Sequence, residues 1–287
     1  MGRTVLPICW LVLLAGCGGQ APPAEDRAAR EAAAMAQMHH DDAPLPSPAV
    51  AHPPPSGSVQ TRTVTYGRIG TDELQGYYAE PADAGASLPG VILFHEWWGL
   101  NDNIRAMAEK LAAAGYRVLA ADLYRGRSAQ TPQDARQLMQ AALSDMPAMD
   151  ANIQAAYDWL QRAGAAKIGT LGWCFGGGVS FEAAQLLSGK VAATVIYYGF
   201  VDAQPEALAK LTAPVLGLFG GQDQSIPLER VKAFEKGLRA LGRPADIHIY
   251  PDAGHAFANP SGTNYKAADA DDAWRRTLEF LGRTLKP

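Results

Sequence analysis

Apolar runs and amphipathic stretches alternate along the chain from residue 59 onward. Two opening segments, 61–66 and 74–79, alternate apolar and polar residues, which predicts an antiparallel strand pair with one solvated face. Continuous apolar runs predict buried strands at 90–94, 117–121, 167–171, 191–198, 214–219 and 245–250. Helical spacing predicts helices at 103–114, 132–144, 149–163, 179–187, 228–241 and 268–285. This alternation predicts one α/β domain over residues 59–287, with a mostly parallel twisted sheet and helices on both faces.

The N-terminus has a different pattern, typical of an exported lipoprotein. A short basic start precedes the apolar run 5–15, which is too short to span a bilayer and is typical of a signal peptide. The run ends in Leu-Ala-Gly-Cys, which resembles the bacterial lipobox, so we expect a signal peptide over residues 1–16 and lipid on Cys17. Residues 17–58 then form the lipidated cysteine and a flexible Ala/Pro-rich tether. The alternative is ordinary signal-peptidase cleavage with Cys17 unmodified.

This N-terminus and the composition limit location and partners. We expect a protein anchored by lipid in the bacterial cell envelope, facing the periplasm or the exterior. The 287 residues include 25 Lys and Arg against 29 Asp and Glu, which gives no reason to expect nucleic acid as a partner. The His-His-Asp-Asp run at 39–42 has no second ligand cluster, so we predict neither a metal ion nor a cofactor. We expect a monomer that acts on a small molecule.

The run Gly-Trp-Cys-Phe-Gly-Gly-Gly at 172–178 lies between a predicted strand and a predicted helix. A Gly-x-nucleophile-x-Gly pattern in that position is a nucleophile elbow, and its apex here is Cys174. The positive end of the following helix favours a thiolate at this position. Because Cys9 leaves with the signal and Cys17 carries lipid, Cys174 is the only thiol that remains. The structural alternative is a buried cysteine beside a glycine-rich helix start.

Two later strand ends carry the remaining groups that a cysteine hydrolase needs. Asp223 follows one predicted strand, and His255 follows the next. With Cys174 they stand in the order nucleophile, acid, histidine, which is the chain order of α/β-hydrolase triads. Histidine would move the proton, and the carboxylate would hold the imidazole tautomer. Asp252, in the same loop as His255, is the alternative acid.

The loop after the first buried strand supplies the next candidates. In this fold, that loop and the residue after the nucleophile provide backbone N–H groups for the oxyanion. We assign those donors to Trp97 and Phe175. Glu96, directly after a buried strand and beside two tryptophans, is predicted to lie near the sulfur rather than in solvent.

Several motifs together resemble the dienelactone hydrolase family over the whole domain. They are His95-Glu96-x-x-Gly99, Asp122-Leu123-Tyr124, Gly172-x-Cys174-x-Gly176-Gly177, Gly221-x-Asp223 and Gly254-His255-x-Phe257. The resemblance implies an α/β-hydrolase fold without a large lid domain and a Cys-Asp-His triad. It also implies that Glu96 contacts the resting thiol and helps to generate the thiolate. The family's named activity is hydrolysis of dienelactones to maleylacetate.

The chain departs from the family where the substrate carboxylate is bound. Well-described members have an arginine four residues after the histidine, and this chain has Asn259 there. A second arginine follows the Asp-Leu-Tyr motif, where this chain offers Arg125 and Arg127 around a glycine. These three residues are therefore the candidate substrate-binding positions.

The function predicted from these observations is hydrolysis of esters or lactones by a Cys-Asp-His triad through a thioester acyl-enzyme. This is the carboxymethylenebutenolidase type of reaction. One alternative is a thioesterase or general acyl hydrolase with the same triad. The other is a binding lipoprotein that has kept the fold without the chemistry.

Overall fold

The structure, a computed structural model, describes residues 57–85 and 87–287. The predicted signal peptide, Cys17 and the tether up to residue 56 lie outside the described residues. The strands are β1 Val59–Ile69, β2 Asp72–Pro81, β3 Gly90–Phe94, β4 Arg117–Ala121, β5 Ile168–Trp173, β6 Ala193–Tyr197, β7 Val215–Gly220 and β8 Ala245–Tyr250. The helices are α1 Asp102–Ala113, α2 Pro132–Ser144, α3 Met146–Arg162, α4 Phe175–Leu186, α5 Pro205–Ala209, α6 Leu228–Ala240 and α7 Ala267–Leu285.

The eight strands form one sheet in the order β1-β2-β4-β3-β5-β6-β7-β8. β1 pairs antiparallel with β2, and β2 pairs antiparallel with β4. All other neighbours are parallel. The predicted fold class, a mostly parallel sheet between helical layers, is therefore confirmed.

The chain reverses its direction of travel across the sheet between β3 and β5. It passes from β3 to β4 on one side and returns to place β5 on the other side of β3. Such a switch point opens a crevice at the carboxyl ends of the two strands, where ligands bind in open α/β sheets. The elbow at Cys174 follows β5 directly and so lies at this crevice.

Helices cover both faces of the sheet. On one face α1 and α7 are neighbours, since Lys110 of α1 lies over the Trp274 ring of α7 and Lys286 Nζ donates to the Ala114 carbonyl at 2.8 Å. On the other face α4 contacts α6 through the rings of Phe181 and Phe234, whose centroids are 5.7 Å apart. The inner strands β3 to β7 are buried throughout, which explains why their sequences are continuous apolar runs.

The structure changes some predicted bounds. α4 begins at Phe175, four residues earlier than predicted, because the glycines after the elbow are helical. α3 begins at Met146, where the Asp145 side chain accepts the Ala148 N–H at 3.2 Å. The five-residue α5 was not predicted. No helix among the described residues is both long and apolar enough to cross a bilayer.

Candidate active site

Cys174 occupies the sharp turn between β5 and α4. Its backbone has φ 56° and ψ −120°, a left-handed region that L-residues rarely adopt. Its N–H donates to the Tyr197 carbonyl of the adjacent strand at 3.0 Å, which fixes the turn against β6. A Cβ on Gly172 would lie 2.0 Å from the Gly176 carbonyl oxygen, so only glycine fits there. The steric reason for the elbow glycines is thus visible in the structure.

His255 and Asp223 meet at the ends of β7 and β8. The His255 Nδ1 lies 2.7 Å from Asp223 Oδ2, and both side chains are buried. The other carboxylate oxygen of Asp223 accepts the N–H groups of Ser225 at 2.8 Å and Ile226 at 3.0 Å. Asp252, the alternative acid, is exposed to solvent. The structure therefore brings Asp223 to the imidazole.

The charges of this pair shift each other's titration. Burial alone would raise the pKa of Asp223, but the His255 charge, its hydrogen bond and the two backbone N–H groups lower it. Burial alone would lower the pKa of His255, but the charges of Asp223 and Cys174 and hydrogen bonds to both raise it well above its ordinary value. His255 thus interacts with the acid on one side and with the sulfur on the other.

His95 holds the loop that carries Glu96. Its Nε2 accepts the Leu123 N–H at 3.1 Å, so its Nδ1 carries the proton and donates to the Glu96 carbonyl at 2.6 Å. Burial lowers the pKa of His95, which keeps the ring neutral and suits this tautomer. The neutral ring ties the end of β3 to the end of β4.

The Glu96 carboxylate is buried and bound by an amide. Asn259 Nδ2 donates to Glu96 Oε2 at 2.7 Å. The side-chain oxygen of Asn259, Oδ1, accepts from Asn103 Nδ2 at 3.2 Å and from the Ser261 N–H at 2.9 Å. Asn103 also donates to the Ser261 hydroxyl at 2.9 Å. Because its oxygen is held in this way, the amide of Asn259 must present its N–H to Glu96.

The two residues assigned to the oxyanion hole lie in the loop after β3 and at the start of α4. Trp97 is buried in the loop after β3, and its ring lies 5.0 Å from that of Trp98. Phe175 is the first residue of α4, where a backbone N–H has no carbonyl of its own helix to bind. A Cβ on Gly176 would lie 2.2 Å from the Phe94 carbonyl oxygen, so the start of α4 lies directly against the end of β3.

The two candidate arginines follow Tyr124 and make their contacts away from Glu96 and Asn259. Arg125 has φ 55° and forms ion pairs with Asp72 at 3.1 Å and Asp145 at 3.7 Å. Arg127 is exposed, and its Nε donates to the Tyr124 carbonyl at 3.3 Å. The structure does not bring either guanidinium to Glu96 or Asn259.

A cleft opens beside Glu96, between α1 and α7. It has a volume of about 670 Å³, including the part open to solvent. Its lining includes Glu96, Asn259 and Tyr198, and also Lys110 of α1 and Trp274 of α7. Lys110 Nζ lies 4.8 Å from the centre of the Trp274 ring. No group of three or more His, Cys, Asp or Glu residues in the described chain is arranged to hold a metal ion.

Sequence reasoning missed four polar residues of this region. Asn103 and Ser261 orient Asn259, while Tyr124 and Tyr198 lie beside the elbow. Tyr124 and Tyr198 could have been suspected because each follows the end of a buried strand. Asn103 and Ser261 have no comparable signal in the sequence.

The sheet, its switch point and the elbow define this protein as an α/β-hydrolase. The sequence profile of the dienelactone hydrolase family matches residues 74–285. The chain belongs to this family and is a hydrolase of the ester and lactone type.

Named relatives agree with this assignment. A protein of Escherichia coli K12 named "Putative carboxymethylenebutenolidase" is 35% identical over 226 residues, which cover 73% of this chain and 82% of that protein. A "Putative Dienelactone Hydrolase" of Klebsiella pneumoniae has a crystal structure that matches with a TM-score of 0.70 at 27% identity, covering 78% of this chain and 99% of the other. A dienelactone hydrolase-like promiscuous phosphotriesterase from metagenomic libraries shares the fold, with a TM-score of 0.72 at 23% identity over 79% and 99% of the two chains.

Proposed function

We propose that this protein hydrolyses small-molecule esters or lactones with Cys174 as nucleophile, Asp223 and His255 as its partners, and Glu96 beside them. One observation carries the proposal: His255 links the Asp223 carboxylate, 2.7 Å from its Nδ1, to the sulfur at the apex of a nucleophile elbow. The raised pKa of His255 favours an imidazolium beside a thiolate, which is the form that attacks carbonyl carbon.

The first half of the reaction would form the thioester. The Cys174 thiolate adds to the ester carbonyl, and the negative charge on oxygen meets the backbone N–H groups of Trp97 and Phe175. The tetrahedral species then collapses, and its carbon–oxygen bond breaks. The His255 imidazolium gives its proton to the leaving alkoxide. An alcohol departs, or stays attached through the acyl chain when the substrate is a lactone.

The second half would hydrolyse the thioester. Neutral His255 takes a proton from water, and the hydroxide adds to the thioester carbonyl. Collapse breaks the carbon–sulfur bond and restores the thiolate beside a protonated His255. The Asp223 carboxylate accepts a hydrogen bond from the protonated Nδ1 throughout. Nε2 is therefore the nitrogen that exchanges protons with the reactants.

Glu96 would act before attack, by withdrawing the proton when the resting cysteine is a thiol. Its carboxylate is buried, and the Asn259 amide donates to its Oε2 at 2.7 Å. A neutral amide forms a weaker hydrogen bond with a carboxylate than a guanidinium does. This supports a role for Glu96 in generating the nucleophile.

The substrates that fit this site best are neutral. The position of the family's carboxylate-binding arginine holds Asn259, while Arg125 pairs with Asp72 and Arg127 donates to the Tyr124 carbonyl. An anionic group would therefore lose its hydration without a charged partner at Asn259. We propose neutral esters or lactones as the substrate class.

A substrate panel tests the function. Wild type and Cys174→Ala are compared on chromogenic esters, on lactones and on acyl thioesters. Turnover of esters or lactones by wild type, lost in the variant, supports the proposal. Turnover of thioesters alone would replace it with a thioesterase. Equal rates in both proteins would refute it.

We also propose that the domain is held at the cell envelope by lipid on Cys17. The support is the apolar run 5–15 that ends in Leu-Ala-Gly-Cys. The tether would let the domain reach substrates some distance from the membrane surface.

A further inference from the structure

Two tyrosine hydroxyls beside the nucleophile have no protein partner for their protons. The hydroxyls of Tyr124 and Tyr198 are buried, and neither donates to an acceptor among the described residues. Tyr66 and Tyr197 are equally buried, yet each is satisfied, by Asn152 at 2.5 Å and by Thr277 at 2.6 Å. A buried donor left unpaired costs free energy. The two exceptions therefore call for a functional explanation.

Both phenols lie at the reacting groups. The Tyr198 ring packs edge-on against His255, with centroids 5.2 Å apart, and Tyr198 lines the cleft together with Glu96. The Tyr124 ring stacks on Phe175, the residue after the nucleophile, at 5.8 Å. The backbone N–H of Ala258 lies against the Tyr198 oxygen, which leaves the phenol proton as the part without a partner.

Burial and the nearby charges keep both hydroxyls protonated. Burial, followed by the charge of Cys174, raises the pKa of Tyr124 well above its ordinary value. Burial, followed by the charges of Glu96 and Cys174, does the same for Tyr198. The structure therefore places two neutral O–H donors around the elbow, one against the Phe175 ring and one against the His255 ring.

The backbone at Tyr198 is also strained. Its φ is 35°, a value that an aromatic L-residue rarely adopts. The strain arises directly after β6, whose last residue accepts the Cys174 N–H. Strain of this kind persists where the surrounding structure holds a side chain in a required place.

We propose that Tyr124 and Tyr198 bind the substrate by donating hydrogen bonds to neutral oxygen atoms next to the scissile carbonyl. The ligand chemistry they fit is an ester or lactone with an ether, carbonyl or hydroxyl oxygen near the reacting group. This inference rests on the proposed function. It adds the groups that recognise the substrate and the oxygen-substituted class that they select.

The test uses two esters that differ at one atom, 4-nitrophenyl butyrate and 4-nitrophenyl methoxyacetate. Replacing one methylene by an ether oxygen adds an acceptor and leaves the shape nearly unchanged. The measured quantity is the ratio of kcat/KM for methoxyacetate to that for butyrate. Comparing this ratio between variants cancels the difference in intrinsic reactivity. The proteins are wild type, Tyr124→Phe, Tyr198→Phe, the double variant and the control Tyr66→Phe.

We expect the ratio to fall about three- to tenfold in the double variant and in at least one single variant, since one neutral hydrogen bond is lost. The unfolding temperature of these variants should stay level or rise, because each loses an unpaired hydroxyl. Tyr66→Phe should lower the unfolding temperature and leave the ratio unchanged, because its hydroxyl is already bonded to Asn152.

An unchanged ratio in the double variant would overturn the inference, whether kcat/KM stays the same for both esters or falls equally for both. Such results leave the proposed function standing, provided that wild type remains much faster than Cys174→Ala. If wild type hydrolyses neither ester faster than Cys174→Ala, the proposed function fails and this inference fails with it.

Discussion

The backbone of Gly176 lies so close to the Phe94 carbonyl that a Cβ on Gly176 would be 2.2 Å from that oxygen, and 2.5 Å from the oxygen of His95. This contact seats the N-terminus of α4 on the end of β3 and so sets the distance between Cys174 and the Glu96 loop. The Phe94 backbone cannot move away without breaking the sheet, since Phe94 pairs with both Ala121 and Gly172.

We therefore expect Gly176→Ala to destabilise the protein by more than about 3 kcal/mol, or to prevent folding, through a clash with backbone. Gly178→Ala is the matched control, because its Cβ would find no atom nearer than 3.5 Å. In the same helix, this control should gain up to about 1 kcal/mol. Urea unfolding of both variants measures the difference. Similar stabilities would show that the contact is not rigid.

Cys174→Ala should abolish ester hydrolysis and leave the unfolding temperature within a few degrees of wild type, because the buried side chain loses a single heavy atom, which costs about 1 kcal/mol. Cys174→Ser should also be poor, by at least about 100-fold in kcat/KM. A carboxylate placed to ionise a thiol is too weak a base for a much less acidic hydroxyl. Steady-state kinetics and calorimetry check both. Near wild-type turnover by Cys174→Ala would refute nucleophilic attack by the sulfur.

Asp223→Asn should reduce kcat by about 10²- to 10⁴-fold, because an amide cannot stabilise the imidazolium and favours the wrong tautomer. The backbone N–H groups of Ser225 and Ile226 could still donate to the side-chain oxygen of the new asparagine, so the fold should survive. Asp252→Asn is the control, since that carboxylate is exposed, and it should stay within about twofold of wild type. Equal losses in both variants would contradict the assignment of Asp223.

The same pair predicts a dependence of stability on pH. A histidine whose pKa is raised by folding stabilises the protein fully below about pH 6.5, its unfolded value, and loses that contribution as the pH rises through the folded value. The lowered pKa of Asp223 has the opposite effect. Its contribution is constant above about pH 4 and is lost as the pH falls further.

Because the charge of Cys174 also raises the pKa of His255, the measurement is best made in Cys174→Ala. The range runs from about pH 6.5, the pKa of histidine in the unfolded chain, to about pH 9. Across it, the unfolding free energy of Cys174→Ala should fall more steeply with pH than that of Cys174→Ala/Asp223→Asn. The second substitution removes the charge that raises the pKa of His255. Urea titrations across the range give both slopes. Parallel slopes would show that Asp223 does not hold a proton on the imidazole.

Asn259→Arg should shift substrate preference toward anions. A guanidinium at this position offers charge-assisted hydrogen bonds, which are about twice as strong as those of an amide. The measurement is the ratio of kcat/KM for an ester with a terminal carboxylate, 4-nitrophenyl hydrogen succinate, to that for 4-nitrophenyl butyrate. Asn259→Gln keeps the amide and serves as the control. Glu96 lies 2.7 Å from the Asn259 amide in wild type. A ratio equal to that of wild type would mean that the new guanidinium pairs with Glu96 and does not bind the substrate carboxylate.

Cys17→Ser tests the anchor. The serine cannot be lipidated, so the variant should leave the membrane fraction and appear as soluble or unprocessed protein. Fractionation and immunoblotting measure this, with wild type as the reference. Complete retention of the variant in membranes would contradict the lipobox interpretation.

The sequence by itself determined the order of the strands and helices along the chain and the places where the catalytic candidates fall. Buried parallel strands are continuous apolar runs, and their carboxyl ends meet at one edge. Periodicity and chain order were therefore enough to place Cys174, Asp223 and His255 near one another. The elbow glycines were readable for the same reason, since their constraint is local and arises within five residues.

Only the tertiary structure decided which way the remaining side chains turn. Asn259 contacts Glu96 across a separation of 163 residues, and the direction of its amide depends on Asn103, a residue of another helix. Arg125 pairs with Asp72 and Asp145, which lie in distant parts of the chain, and no spacing rule predicts such contacts. Contacts of this kind depend on how separate elements pack, and packing is a property of the assembled core rather than of any one segment.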